Sequence, residues 1–198
     1  MTDLMNMLSD AMNPGTLQSI SREIGADPDA TAKAVSAALP ILVGALDRNT
    51  NQAEGAQALF GALQRDHDGG ILDDLAGFLG GARQSDGDAI LGHVLGGKRG
   101  SVETGLSRAS GLDMSSITKL LPMLAPIVLG AIGKMQRQRG LDASGLSEAL
   151  SQERHRSVQA QPEAMGALES LLDSNDDGQV IDDVVRIGSS LIGSYFKG

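Results

Sequence analysis

Residues Asp173, Asn175, Asp177, Gln179, Asp182 and Asp183 lie in one short run, Asp-Ser-Asn-Asp-Asp-Gly-Gln-Val-Ile-Asp-Asp, that can do metal chemistry. Calcium takes six to eight hard oxygen ligands. Side chains at alternate loop positions converge on it only where the chain turns sharply, which glycine at position 6 allows. Here oxygens stand at positions 1, 3 and 5, Gly178 follows, and Gln179 offers its backbone carbonyl at position 7. The pattern breaks at position 12, where Val184 replaces the closing bidentate Glu and leaves Asp182 and Asp183 as substitutes. A weaker version occurs earlier, with Gln64 in place of the first acid and then Asp66, Asp68, Asp73 and Asp74. A second reading needs no metal: aspartates at helix starts accept free amides, and glycine makes the turn.

The two loops belong to a longer repeat. Residues 58–75 align without gaps on 167–184, a displacement of 109, and residues 25–46 align on 111–132, a displacement of 86. The growth from 86 to 109 places a 23-residue insertion in the second copy, at about 140–161. Because one ancestor explains both loops, their recurrence is not independent support for calcium.

Both copies of the first segment carry a helical stripe: Val35, Ala38, Leu42 and Leu46, then Leu121, Leu124, Val128 and Ile132. Asp27 before Pro28, and Asp113 with Ser115, read as helix starts, while Pro40, Pro122 and Pro126 predict kinks or breaks. No segment alternates with the period of a strand. The fold class read from this is all-α, a multi-helix bundle of two related modules. It divides into a leading helix at 1–14, module one at 15–81, a Gly/Asp-rich joint with a short helix at 82–100, and module two at 101–195.

Composition narrows function. A net charge of −9 opposes phosphate backbones and anionic lipid, and 2% aromatic residues leave few stacking platforms, so no nucleic acid is expected. With no cysteine there is no disulfide, thiolate metal site or cysteine nucleophile. The start Met1-Thr-Asp-Leu-Met-Asn-Met lacks a cationic region, which predicts no signal peptide and a cytoplasmic protein. The most apolar run, Leu120 to Ile132, falls short of the ~20 residues of a membrane span. Gly92 to Arg99 has the glycine spacing of a phosphate loop. Arg99 stands where Ser or Thr should hold magnesium, and no strand precedes it, so it reads as a hinge. His67, His93 and His155 are scattered, and no catalytic constellation is recognised. The reading is therefore a non-enzymatic structural or interaction protein without a cofactor, meeting a protein partner or its own copies. A calcium-binding module is the alternative, and an enzyme of unrecognised type a further one.

The segments at 25–42, 66–74, 90–98 and 124–130 resemble the YidB-like family of uncharacterised bacterial proteins, domain of unknown function 937. That resemblance runs from about residue 15 to 195 and implies an all-helical fold in a bacterial, cytosolic setting. It brings no activity, cofactor or catalytic residue with it.

Overall fold

The computed structural model describes residues 4–79 and 84–160. In chain order the helices are α1 (Leu4–Ala11), α2 (Pro14–Ile24), α3 (Pro28–Thr50), α4 (Ala53–Asp66), α5 (Leu75–Leu79), α6 (Gln84–Leu95), α7 (Arg99–Ser110), α8 (Met114–Arg139) and α9 (Ala143–Ala160). Short 3-10 turns at Gly70–Leu72 and Gly96–Lys98 join α4 to α5 and α6 to α7, and no strand occurs among the described residues. The all-α bundle expected from the periodicity is what forms.

The bundle is organised around α8. Ile117, Leu120, Leu121, Leu124, Ile127, Val128, Ala131 and Ile132 form a fully buried stripe, and every residue from Leu120 to Gly133 is buried, so all faces of that part of the helix are covered. Each large aliphatic side chain removed from water in this way stabilises the fold by roughly 1.5–3 kcal/mol. The helices that enclose it come from along the whole chain: α1, α2, α3, α4, α6 and α7 all pack on α8. A single apolar core runs from Leu4 to Leu150, so the expected modules do not have separate interiors.

The starts of α3 and α8 share one local design. Gly25 (φ 71°) and Gly111 (φ 80°) end α2 and α7 in the left-handed conformation that glycine adopts without a Cβ penalty. Two residues later, Asp27 accepts the Ala30 amide at 3.0 Å and Asp113 accepts the Ser116 amide at 2.9 Å. Hydroxyls of Ser115 and Ser116 also donate to Asp113, at 2.6 and 3.0 Å. These bonds, led by that of Ser115, hold the Asp113 carboxyl down at about 2. The surrounding contacts correspond too: α2 lies on α3 as α7 lies on α8, and α1 packs on α8 while α6 packs on α3.

Three features differ from what the sequence led us to expect. Pro40, Pro122 and Pro126 neither end nor divide their helices, since α3 and α8 run through them unbroken. A proline inside a helix costs about 3 kcal/mol through a lost amide bond and ring crowding; the burial around α8 offsets this. Pro126 cannot donate to the Pro122 carbonyl, and it is against this carbonyl that Gly87 of α6 fits, where a Cβ would overlap the oxygen. Secondly, the apolar run Leu120–Ile132 sits inside a helix of 26 residues. Both α3 and α8 are long and apolar enough to cross a membrane by length and composition, but in the fold their most apolar windows are 61% and 89% buried by protein. Thirdly, the stretch Gln84–Asp88 is the first turn of α6 rather than an irregular joint.

The segment in which the sequence alignment places an insertion holds α9, an 18-residue helix at Ala143–Ala160. It docks on α3 and α4 through buried Leu146, Ala149 and Leu150. Arg154 Nε meets Asp47 Oδ2 at 2.7 Å, and Ser147 Oγ donates to the Thr50 carbonyl at 3.0 Å. Asp47 is only 2% exposed, so this guanidinium compensates a carboxylate that water does not reach.

The approach of α6 to α8 predicts opposite signs for two glycine-to-alanine changes. Gly87→Ala should lower unfolding free energy by roughly 1–3 kcal/mol, because the new methyl meets backbone that cannot give. Gly92→Ala, on the exposed side of the same helix with nothing within 4 Å of its Cβ position, should raise it by about 0.5–1 kcal/mol. Urea unfolding of both variants measures the contrast.

Candidate functional site

The earlier acidic loop is fully placed. The chain leaves α4 at Asp66, turns at Gly69 (φ 97°), makes the 3-10 turn at Gly70–Leu72 and enters α5. The loop lies on a strip of small residues of α8. A Cβ on Gly133 would overlap the His67 carbonyl, and one on Gly130 would overlap Ile71 Cγ2. The reverse also holds, since a Cβ on Gly69 would come within 2.8 Å of Lys134 Cβ.

The predicted ligands Asp66, Asp68, Asp73 and Asp74 are used separately. Asp68 Oδ2 pairs with Arg137 at 3.3 Å while its Oδ1 accepts the Gly70 amide at 3.0 Å. Asp73 Oδ1 pairs with Lys134 at 3.2 Å. Asp74 Oδ1 accepts the Gly77 amide at 2.9 Å, satisfying a free donor at the start of α5. Asp66 lies at the end of α4 and lines a cleft of about 950 Å³ with Asp68, Asp74 and Asp86. Among the described residues no three carboxylate or imidazole groups are gathered closely enough to hold a metal ion. The later loop, with Asp173, Asn175, Asp177, Gln179, Asp182 and Asp183, lies outside the described residues.

A second concavity, of about 810 Å³, opens between the C-terminal part of α3, α4 and α6. Leu46, Leu59, Ile90, Val94 and Leu129 supply its apolar surface. Among the described residues its ionisable lining consists of Arg48, His67 and His93, with no carboxylate. The amide of Asn49 fixes one wall by donating to the carbonyls of His93 and Val94 at 3.1 and 3.2 Å. His67 lines both this groove and the acidic cleft. Burial lowers its pKa, against the opposing fields of Asp66 and Asp86, which favours the neutral imidazole. Sequence reasoning treated His67 and His93 as scattered. They are 26 residues apart in the sequence and line the same groove in the fold.

The phosphate-loop-like segment Gly92–Arg99 spans the end of α6 and the following 3-10 turn. Arg99 closes it structurally, with Nη2 on Asp88 and Nε on Glu103, both at 2.7 Å. His155 is exposed on α9, away from either concavity.

Helices wrapped around one apolar helix, with an acidic loop clipped to it and an open groove alongside, define an all-α multi-helix bundle. The chain belongs to the family described as bacterial protein of unknown function (DUF937), which matches residues 6–135. The match covers α1 to most of α8 and stops before α9. No curated protein and no solved structure gives a significant match.

The loop geometry makes a prediction about acid titration. The Gly70 amide first, and Arg137 second, hold the Asp68 carboxyl below its ordinary value. Its contribution to stability should be present above the ordinary Asp pKa of about 3.9 and be lost as pH falls through the lower folded value. In a carboxyl NMR titration, Arg137→Ala should move Asp68 only part of the way back, because the amide bond remains. A complete return to the ordinary value would show that the loop amide does not hold it.

Proposed function

We propose that this chain is a non-enzymatic, cytoplasmic helical interaction protein, built from a duplicated module, that takes an apolar helix of a protein partner into the groove between α3, α4 and α6. The observation that carries the reading is the chemistry of that groove. In a chain of net charge −9, its lining among the described residues holds one arginine, two histidines, five large aliphatic side chains and no carboxylate. An apolar surface edged by one guanidinium and two imidazoles that can donate hydrogen bonds fits an amphipathic helix whose apolar stripe is flanked by glutamate or aspartate. The hydroxyl–carboxylate pairs elsewhere, Ser115 and Ser116 with Asp113 and Ser144 with Asp142, are accounted for as helix starts. The matching starts of α3 and α8 support the duplication.

Two synthetic helical peptides test this, one with leucines at i, i+3, i+4 and i+7 flanked by glutamate, the other flanked by lysine. Fluorescence anisotropy should show binding of the first only, and Ala58→Glu on the exposed wall of α4 should weaken it at least tenfold, a loss of about 1.4 kcal/mol. Equal binding of both peptides, or no effect of Ala58→Glu, counts against the reading. Light scattering over a range of concentrations separates a foreign partner from a second copy.

A second reading, calcium at the loop of 173–184, is favoured by one substitution. Asp68 is neutralised by Arg137, and the residue 86 positions earlier than Arg137 is Asn51. The cation that neutralises Asp68 thus has no counterpart at position 51, and a divalent ion would supply that charge to the aligned acid, Asp177. Calorimetry should detect calcium binding to the wild-type chain and none to Asp173→Ala/Asp177→Ala. No heat at millimolar calcium removes this reading.

A further inference from the structure

We propose that His67 is the residue with which the groove recognises a carboxylate of its partner, and that the partner therefore binds more tightly as pH falls below neutral. The inference rests on the reading of the groove as a site for a helix edged by glutamate or aspartate.

The position of His67 sets it apart from the other ionisable groups of the groove. It follows α4 directly and lines both the groove and the acidic cleft, as Ile90 does. Its carbonyl lies against α8, where a Cβ on Gly133 would overlap it. The main chain that carries this half-buried imidazole is thus fixed in the wall that the two concavities share. Arg48 keeps its charge at every pH of interest and has an interaction of its own. His93 is exposed, where salt and water screen a charge. A half-buried imidazole is the group whose charge changes near neutrality and is felt when it does.

The charges around His67 are divided between its two sides. In the cleft stand Arg65 and Asp66 of α4, Asp68 and Asp74 of the following loop, and Asp86 of α6. In the groove stand Arg48 of α3 and His93 of α6. The cations that α8 brings to the loop, Lys134 and Arg137, are paired with Asp73 and Asp68. Burial outweighs the fields of Asp66 and Asp86 and favours the neutral ring, so the empty groove lacks this positive charge near neutrality. A glutamate or aspartate brought into the groove reverses the balance. It meets no carboxylate in the lining among the described residues, and it joins two acids that already favour the charged ring.

An opposite charge within about 4–6 Å raises the pKa of an imidazole by about one unit or more. Proton and partner are then linked, and one unit is about a tenfold gain in affinity. The gain is complete below the pKa of His67 in the free protein and absent above its value in the complex. Because the free value lies below the ordinary 6.5, the gain opens as pH falls from about 7.5 to about 5.5. The partner's own glutamates, with an ordinary pKa of about 4.3, stay charged over that range.

The glutamate-flanked peptide tests this on the full chain. Its affinity, read by fluorescence anisotropy, should rise about fivefold between pH 7.5 and pH 5.5, as a one-unit shift gives when half complete. His67→Gln should remove the rise and His93→Gln should keep it. In the wild type, NMR should find the His67 ring titrating about one unit higher with the peptide bound than without it, a change that a purely structural His67 would not show. Equal affinity at the two pH values, the same rise in His67→Gln, or a His67 titration that the peptide leaves unmoved would each overturn the proposal and leave the groove standing as a binding site. Failure of the peptide to bind at either pH removes the reading of the groove, and this proposal with it.

Discussion

A helix with apolar side chains on all faces has no orientation in which it can meet water, and α8 is such a helix. Its length and composition oblige the remaining chain to enclose it, and most of the architecture follows. Apart from α3 the enclosing helices are short, and small residues bring the chain close: Gly87 lets α6 reach the Pro122 carbonyl, and Gly130 and Gly133 let the acidic loop settle. The two prolines in α8 are tolerated on the same account, since helical propensity is a small quantity beside the area that α8 removes from water.

Charge is arranged to suit that enclosure. The acids that resemble metal ligands are held one by one, by Lys134 and Arg137 at the end of α8 or by amides at the start of α5. Two cations on a helix thus take the part that a metal plays in a calcium loop, with the helix as the rigid element. These pairs are exposed and individually weak; the close fit of glycine to backbone fixes where they form. The pair between Asp47 and Arg154 differs, since it is largely withdrawn from water and couples α9 to α3.

The parts of this fold legible in the sequence were those set by local rules. The stripes of α3 and α8, their Asp starts and the absence of strands all come from spacing and residue type. What local rules could not give was the outcome of burial against distant residues. Pro122 and Pro126 read as breakers because their cost is local while their compensation comes from α6 and α7. The docking of the segment at about 140–161 was not legible because its buried apolar residues, Leu146, Ala149 and Leu150, are few and its anchor Asp47 lies about a hundred positions earlier. Of the candidate site, the acidic loop and its capping alternative were legible, and Asp74 follows the capping rule. The groove was not, because it is formed by three helices whose lining residues show no common motif.

The way the earlier and later helices among the described residues are interleaved bears on how the protein is made. Since α1 and α2 pack on α8, and α6 and α7 on α3, neither half owns a complete interior. During synthesis the first hundred or so residues leave the ribosome with α3 uncovered on the side that α7 and α9 will occupy. Closure waits until residue 139 and beyond have emerged, and then forms contacts between distant parts of the chain at once, a slow step by the measure of sequence separation. A nascent chain of this kind spends its most aggregation-prone interval tethered, where it cannot meet its neighbours freely, and its yield depends on the pace of elongation through α8.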